Sequence, residues 1–357
     1  MTDNTLVVTD LAVEFNTEEG VVHALRGVTF SVAPQEVLGI VGESGSGKSM
    51  TALAAIGLLP PSAKVTGSIV HEGIELLGLK DKSFSSLRGK SIAMIFQDPL
   101  TSLNPVYTVG WQIAEAVRAH RDISKTEAHV EAVRLLKLVG IPSADERAND
   151  YPHQFSGGMR QRVVIAIAMA NSPTVILADE PTTALDVTVQ AQVLGTLKTA
   201  LDETSASLIL ITHDLGVIAG LANRVIVMYA GRIVELGSAD DIFYRPSMPY
   251  THGLLGSVPR LDDQGGTRLR QIPGSPPSVV GEHQGCAFAP RCPLRRDICR
   301  EEEPELRRVA IRSPSNDHSG VADGEHLSAC HFADEVAAMD VASMFSDTSA
   351  DYESGPA

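Results

Sequence analysis

Residues 42–49 read Gly-Glu-Ser-Gly-Ser-Gly-Lys-Ser and complete the pattern G-x-x-x-x-G-K-S. An apolar run, Val37-Leu38-Gly39-Ile40-Val41, precedes them, and an alanine-rich stretch from Lys48 to Leu58 follows. The first suits a buried parallel strand and the second a helix, the strand-loop-helix setting this loop requires. Gly42, Gly45 and Gly47 allow sharp turns that aim backbone N–H groups inward, and the helix start adds partial positive charge. With Glu43, Ser44, Ser46 and Met50 completing the segment, the loop predicts a cradle for ATP. Lys48 is expected to reach the β- and γ-phosphates and Ser49 to ligate magnesium. The bland alternative, a glycine-rich turn before a helix, leaves the complete pattern and its context unexplained.

About 130 residues later, Val175-Ile176-Leu177-Ala178 ends in Asp179-Glu180. Open α/β sheets place ligands at the carboxyl ends of their strands, so carboxylates there face the nucleotide rather than the core. Asp179 is expected on the magnesium side. Glu180 is placed to polarise the water that attacks the γ-phosphate, because phosphoryl transfer needs an oriented nucleophile more than covalent help. Alone, an acidic pair ending a strand is more often a helix cap or a solvated turn.

Phe155-Ser156-Gly157-Gly158-Met159 precedes a segment whose Val163, Val164 and Ile167 recur at helical spacing. Ser156 and the two glycines thus present bare N–H groups at a second helix start. The order and spacing of these motifs resemble the ATP-binding cassette (ABC) ATPases over roughly residues 5–260. That resemblance implies an α/β P-loop NTPase (RecA-like) core with an inserted helical subdomain. It also implies that the signature loop of one subunit closes over the nucleotide held by the other. Gln97 matches the family's Q-loop glutamine, which contacts magnesium and water. Asp186, in Ala184-Leu185-Asp186, matches the D-loop at the dimer interface. His213 matches the switch histidine that senses γ-phosphate, and Phe15 the aromatic residue that stacks on adenine. Phe15 as plain core and His213 as a capping histidine are the ordinary readings. Met159 departs from the pattern, standing where many members carry glutamine; the Ser-Gly-Gly contacts survive it.

The chain has 357 residues, 43% of them hydrophobic, enough for a large core and two or more units. The apolar stretch 163–170 is far short of the roughly 18 residues that suggest a membrane span, and no apolar signal segment opens the chain. A cytoplasmic protein, reaching the membrane through a partner, is the expectation. A net charge of −15 argues against nonspecific affinity for DNA or anionic lipid. Nine acids and no Lys or Arg follow Arg312. Residues 336–357 are expected to form an acidic, disordered tail. Residues 1–245 form the expected ATPase domain, strand-rich at 1–96 and 172–240, with helical periodicity across 98–171. No internal repeat is visible, so the second ATPase must come from another chain. In the resembled family the helical region grips the permease; residues 100–111 are the candidate groove lining, with Trp111 either part of it or core.

Residues 246–335 make up the expected extension. Cys286, Cys292, Cys299 and Cys330 lie there with spacing C-x5-C-x6-C-x30-C. In a reducing cytosol, four cysteines so gathered suit metal ligation better than two disulfides. The C-x2-C pairs usual for zinc are absent, and Arg291, Arg295 and Arg296 nearby would lower thiol pKa values, so an iron-sulfur cluster suits them at least as well as zinc. Unliganded core thiols are the third reading. The segments Arg245-Pro246, Pro249-Tyr250-Thr251 and 254–259, together with the cysteines, resemble the oligopeptide and dipeptide importer branch of the ABC ATPases. That resemblance implies a four-iron four-sulfur (4Fe-4S) site.

The expected function is therefore ATP hydrolysis driving a peptide importer. The resemblance implies a related second ATPase subunit, two permease subunits and an extracytoplasmic peptide-binding protein. Glutathione or a nickel complex remains an alternative cargo. A soluble ABC protein acting on nucleic acid or ribosomes is the alternative from another class; it calls for basic patches, long coiled coils or a second cassette.

Overall fold

The computed structural model describes residues 4–183, 185–257, 272–277, 280–281, 284–310, 325–339 and 344. Ala184 and nearly all of the acidic segment from 340 onward, where a disordered tail is expected, lie outside them. In chain order the described strands are β1 (Leu6–Thr17), β2 (Gly20–Val32), β3 (Val37–Val41), β4 (Ala63–His71), β5 (Ile74–Glu75) and β6 (Ile92–Ile95). There follow β7 (Val175–Asp179), β8 (Ser207–Ile211), β9 (Arg224–Tyr229), β10 (Arg232–Ser238), β11 (Arg307–Arg308) and β12 (Leu327–Ser328).

Two sheets result. β2, β1, β4 and β5 form an antiparallel sheet in that order; the second runs β11-β12-β10-β9-β3-β8-β7-β6. Its strands β9, β3, β8, β7 and β6 are parallel, and β10, β12 and β11 continue it antiparallel. The parallel strands read as near-continuous Val, Ile and Leu because both faces are covered. Every residue of β7 and β8 is buried. The two-residue side-chain period divides them between two cores. Val175, Leu177, Ile209, Ile211, Ile226 and Met228 face the antiparallel sheet and the helix Lys48–Ala55. Ile176, Ala178, Leu208, Leu210, Val225 and Val227 face the helices of the other layer.

Between β6 and β7 the chain is helical, with Pro99–Ser102, Val109–Arg118, Lys125–Leu138, Ala144–Arg147 and Gly157–Met169. Capping defines the ends. Thr108 accepts from Trp111 N, and Ser124 and Glu127 form a capping box at the start of Lys125–Leu138. Trp111 is 45% exposed and stacks on Tyr107 with ring centroids 4.0 Å apart, so it is no core residue. Among the described residues no helix is long and apolar enough to cross a membrane.

The extension is anchored on the same sheet. β12 pairs with β10, and wholly buried Glu235 accepts hydrogen bonds from His326 Nε2 at 2.8 Å and Ser247 N at 2.5 Å.

Candidate active site

Four strands in the spatial order β3-β8-β7-β6 end on the same edge, and each delivers one part of the site. β3 leads into the loop 42–49, β8 ends two residues before His213, β7 ends at Asp179, and β6 ends two residues before Gln97. Segments up to 171 residues apart in sequence converge because parallel strands place all their carboxyl ends together.

The loop takes its shape from glycine. Gly42 (φ 151°), Gly45 (φ 79°) and Gly47 (φ 103°) have positive φ. A Cβ on Gly42 would lie 2.3 Å from the Met228 carbonyl oxygen, and one on Gly47 2.7 Å from Leu25, so neither position admits a side chain. Ser44 and Gly45 are exposed and Ser46 is buried. Lys48 is buried and donates to the carbonyls of Gly42 (2.7 Å) and Glu43 (2.9 Å). Burial lowers its pKa, opposed by the charges of Glu180, Asp179 and Glu43. Met50 packs from the following helix against the core under the antiparallel sheet.

Ser49 donates its hydroxyl to Asp179 Oδ1 at 3.0 Å. Burial raises the Asp179 pKa and the neighbouring Glu180 adds to the rise, against the Ser49 hydrogen bond and Lys48. A buried carboxylate in that position is relieved by a cation. Magnesium is suited to one carboxylate, one hydroxyl and substrate phosphates, so these donors fit it.

Glu180 sits in the left-handed region at φ 47°, where a residue other than glycine is strained. Three side chains grip its carboxylate. Thr183 donates to Oε2 at 2.7 Å, Gln97 Nε2 donates to Oε2 at 3.0 Å, and His213 Nδ1 donates to Oε1 at 3.2 Å. Burial by itself would raise the Glu180 pKa; the Thr183 and His213 hydrogen bonds and the charge of Lys48 outweigh it, and the carboxyl sits below its ordinary range. It is therefore charged and oriented, as a proton acceptor must be. Thr183 escaped the sequence reading, although its place three residues after Glu180 suits a local side-chain contact.

The remaining predicted residues stand apart from this cluster. Ser156 caps the helix Gly157–Met169, accepting from Met159 N, and both Ser156 and Gly157 are exposed. Gly158 is buried because its position lies against Val189. Met159 is half-buried against the core. Asp186 caps the helix Val187–Thr204 by accepting from Val189 N at 3.0 Å. Phe15 lies half-buried near the end of β1, opposite Val22 and Ala63. Among the described residues no hydrogen bond joins Ser156, Gly157, Gly158 or Asp186 to the loop 42–49.

The four cysteines line one apolar cavity together with Phe288, Leu294 and Phe332. Among the described residues no group of three or more His, Cys, Asp or Glu is gathered to hold a metal ion, so the sulfurs as placed do not form a closed ligand shell. The expectation that neighbouring arginines lower the thiol pKa values is overturned. Burial pushes Cys286 up, Cys292 up to about 12 and Cys330 up to about 11. Burial outweighs the arginines: Arg291 is taken up by Glu43, and Arg296, although it acts on Cys299 and Cys330, also pairs with Glu335.

Residues 25–183 match the ABC transporter family profile, and residues 234–299 match the profile of the oligopeptide/dipeptide transporter C-terminal region. The dipeptide transport ATP-binding protein DppD of Bacillus subtilis is 53% identical over 88% of this chain and 93% of its own length. The oligopeptide transport ATP-binding protein OppD of Escherichia coli is 51% identical over 85% of this chain and 89% of its own. That of Mycobacterium tuberculosis is 57% identical over 85% of this chain, which spans only 50% of that relative's length. Among solved structures, a dimeric ATP-binding cassette in a post-hydrolysis state with ADP and Pi aligns with a TM-score of 0.59 at 28% identity. It covers 66% of this chain and 98% of its own. With a P-loop core of this fold, a matching C-terminal region and half-identical relatives spanned almost end to end, the chain belongs to the ABC transporter ATP-binding proteins, in their oligopeptide/dipeptide branch.

Proposed function

We propose that this chain hydrolyses ATP to drive import of di- or oligopeptides through a membrane permease. One observation carries the catalytic part: a charged Glu180, fixed by Thr183, Gln97 and His213, stands beside the Ser49–Asp179 pair at the end of the phosphate loop. Lys48 and the N–H groups of the loop hold the triphosphate, and Phe15 supplies an aromatic face for the adenine. Ser49, Asp179 and Gln97 would hold magnesium, which when bound would supply positive charge against the charge that develops on the phosphate oxygens. Glu180 takes a proton from water, whose oxygen bonds to the γ-phosphorus as the bond to the bridging oxygen breaks, giving ADP and phosphate. His213 orients Glu180 and the γ-phosphate.

Ser156, Gly157 and Gly158 are exposed or packed away from the loop, which supports their serving the nucleotide of a second ATPase subunit, with Asp186 at the same interface. The names of the relatives support a peptide cargo. The proposal further includes two permease subunits, an extracytoplasmic peptide-binding protein, a heterodimeric pairing of ATPases and a place on the cytoplasmic side of the membrane. The exposed Tyr107–Trp111 stack supports docking of the helical region on the permease. The 4Fe-4S assignment for Cys286, Cys292, Cys299 and Cys330 belongs to the proposal as well. Its support is the cavity all four share; the open arrangement of the sulfurs stands against it.

Replacing Glu180 by Gln is the test of the chemistry: the variant should retain ATP and lose turnover, whereas undiminished hydrolysis would assign the base elsewhere. Affinity purification from detergent-solubilised membrane tests the setting. Recovered permease subunits support it, and ribosomes or DNA in their place refute it. Protein purified without oxygen should be brown, losing its colour on Cys292→Ser; stoichiometric zinc without iron ends the cluster assignment.

A further inference from the structure

Glu43, the second residue of the phosphate loop, is held at its carboxylate, its N–H and its carbonyl. The carboxylate accepts from Arg291 Nη1 at 2.5 Å and Nη2 at 2.9 Å. The N–H donates to the Tyr250 hydroxyl at 2.8 Å. The carbonyl accepts from Lys48 at 2.9 Å and from Ser46 N at 3.2 Å. Both outside holders belong to the segment beyond residue 245. Tyr250 is wholly buried against Tyr229 and Phe288. Arg291 is 5% exposed and also donates to the Pro273 carbonyl at 2.9 Å. It ends the turn Ala289–Arg291, one residue before Cys292.

An unpaired carboxylate beside a phosphate cradle repels a triphosphate. A bidentate guanidinium neutralises that charge and also fixes its direction, which a point charge would not. Arg291 is itself committed, since losing Glu43 would leave a buried charge uncompensated. The Tyr250 hydroxyl sets the peptide plane at the loop's first turn. The loop's shape is thus braced from the extension as well as from its own glycines.

We propose that Arg291 and Tyr250 are positioning residues for the nucleotide: acting through Glu43, they hold the phosphate loop in its binding shape, so that the cysteine-bearing extension sets how tightly the cassette grips ATP. The proposal rests on residues 42–49 being the ATP site. By linkage, bound ATP tightens the turn Ala289–Arg291 by the same factor.

The experiment is a titration of the full chain with a fluorescent ATP analogue, using Arg291→Met, Glu43→Gln, the double variant and Tyr250→Phe. Arg291→Met should weaken binding about tenfold, corresponding to about 1.4 kcal/mol. Added to Glu43→Gln it should cost nothing more, because both changes remove the same contact. Arg291→Lys should recover only part of the loss. Tyr250→Phe, which keeps the buried ring, should weaken binding in the same direction and serves if Arg291→Met does not fold. Hydrogen exchange across residues 286–292 should slow when ATP is added. Equal losses from Arg291→Met in both backgrounds would mark it as mere support for the fold and overturn the inference. A wild-type chain that binds no ATP would overturn the reading of the loop itself. A wild type that binds, with Arg291→Met and Tyr250→Phe equal to it, would overturn this inference alone.

Discussion

Asp179 and Glu180 are adjacent carboxylates whose surroundings push them in opposite directions. Asp179 is raised, chiefly by burial, so its charged form costs folding stability at neutral pH. Asp179→Asn keeps an acceptor for Ser49 while removing that charge. It should raise the melting temperature of the nucleotide-free chain by about 1–3 °C and abolish magnesium-dependent ATP binding. Calorimetry showing a clear drop would mean the charge is compensated in the free protein. Glu180 is lowered in the fold, so its contribution is complete above the unfolded glutamate pKa of about 4.3 and disappears as pH falls through the folded value. Thr183→Val removes one of the hydrogen bonds that lower it. The variant should lose about 1 kcal/mol at pH 7, and the gap to wild type should close under more acid conditions. A gap independent of pH would show that Thr183 supports the backbone rather than the carboxylate. At this scale the motif residues were legible in the sequence, because G-x-x-x-x-G-K-S and the apolar run ending in Asp-Glu carry their own context. Arg291, beside the cysteines, was misread: closeness in sequence says nothing about where a long side chain ends, and it reaches a partner 248 residues away.

The elements follow from the same logic. Strands β3 and β7 were readable as apolar runs, and the helix Gly157–Met169 from its spacing and its Ser-Gly-Gly start. The strands β11 and β12 were not, since two residues each leave no periodicity; only pairing, of β12 with β10 and of β11 with β12, makes them strands. Gly158 looked like a phosphate contact, and its position also fits one helix against the next. A Cβ there would lie 2.2 Å from Val189 Cγ1, on the helix Val187–Thr204. Gly158→Ala should therefore destabilise by about 1–3 kcal/mol, and Val189→Ala in the same chain should restore most of it. Denaturant unfolding of the three variants gives the answer; a double variant no better than the single would locate the damage elsewhere.

For the whole molecule, one edge of the eight-stranded sheet gathers Lys48, Asp179, Glu180, Gln97 and His213, while the Ser156 helix end faces solvent. Under the proposed function these are two different halves of a nucleotide site, which do not meet within one chain. In the proposed function, the exposed Trp111 and Tyr107 stack is the surface through which a permease would feel closure. Trp111→Ala should leave ATP binding by the full chain within about twofold of wild type, since its ring stacks on Tyr107 rather than on the loop, while weakening co-purification of the permease. Retained co-purification would move the docking surface. The most direct measurement for the central claim is a structure of the purified transporter carrying Glu180→Gln, trapped with ATP and magnesium. The account predicts each triphosphate between the phosphate loop of one ATPase and the Ser-Gly-Gly helix start of the other. A triphosphate held wholly within one chain, with no second cassette's helix start in reach, would contradict it.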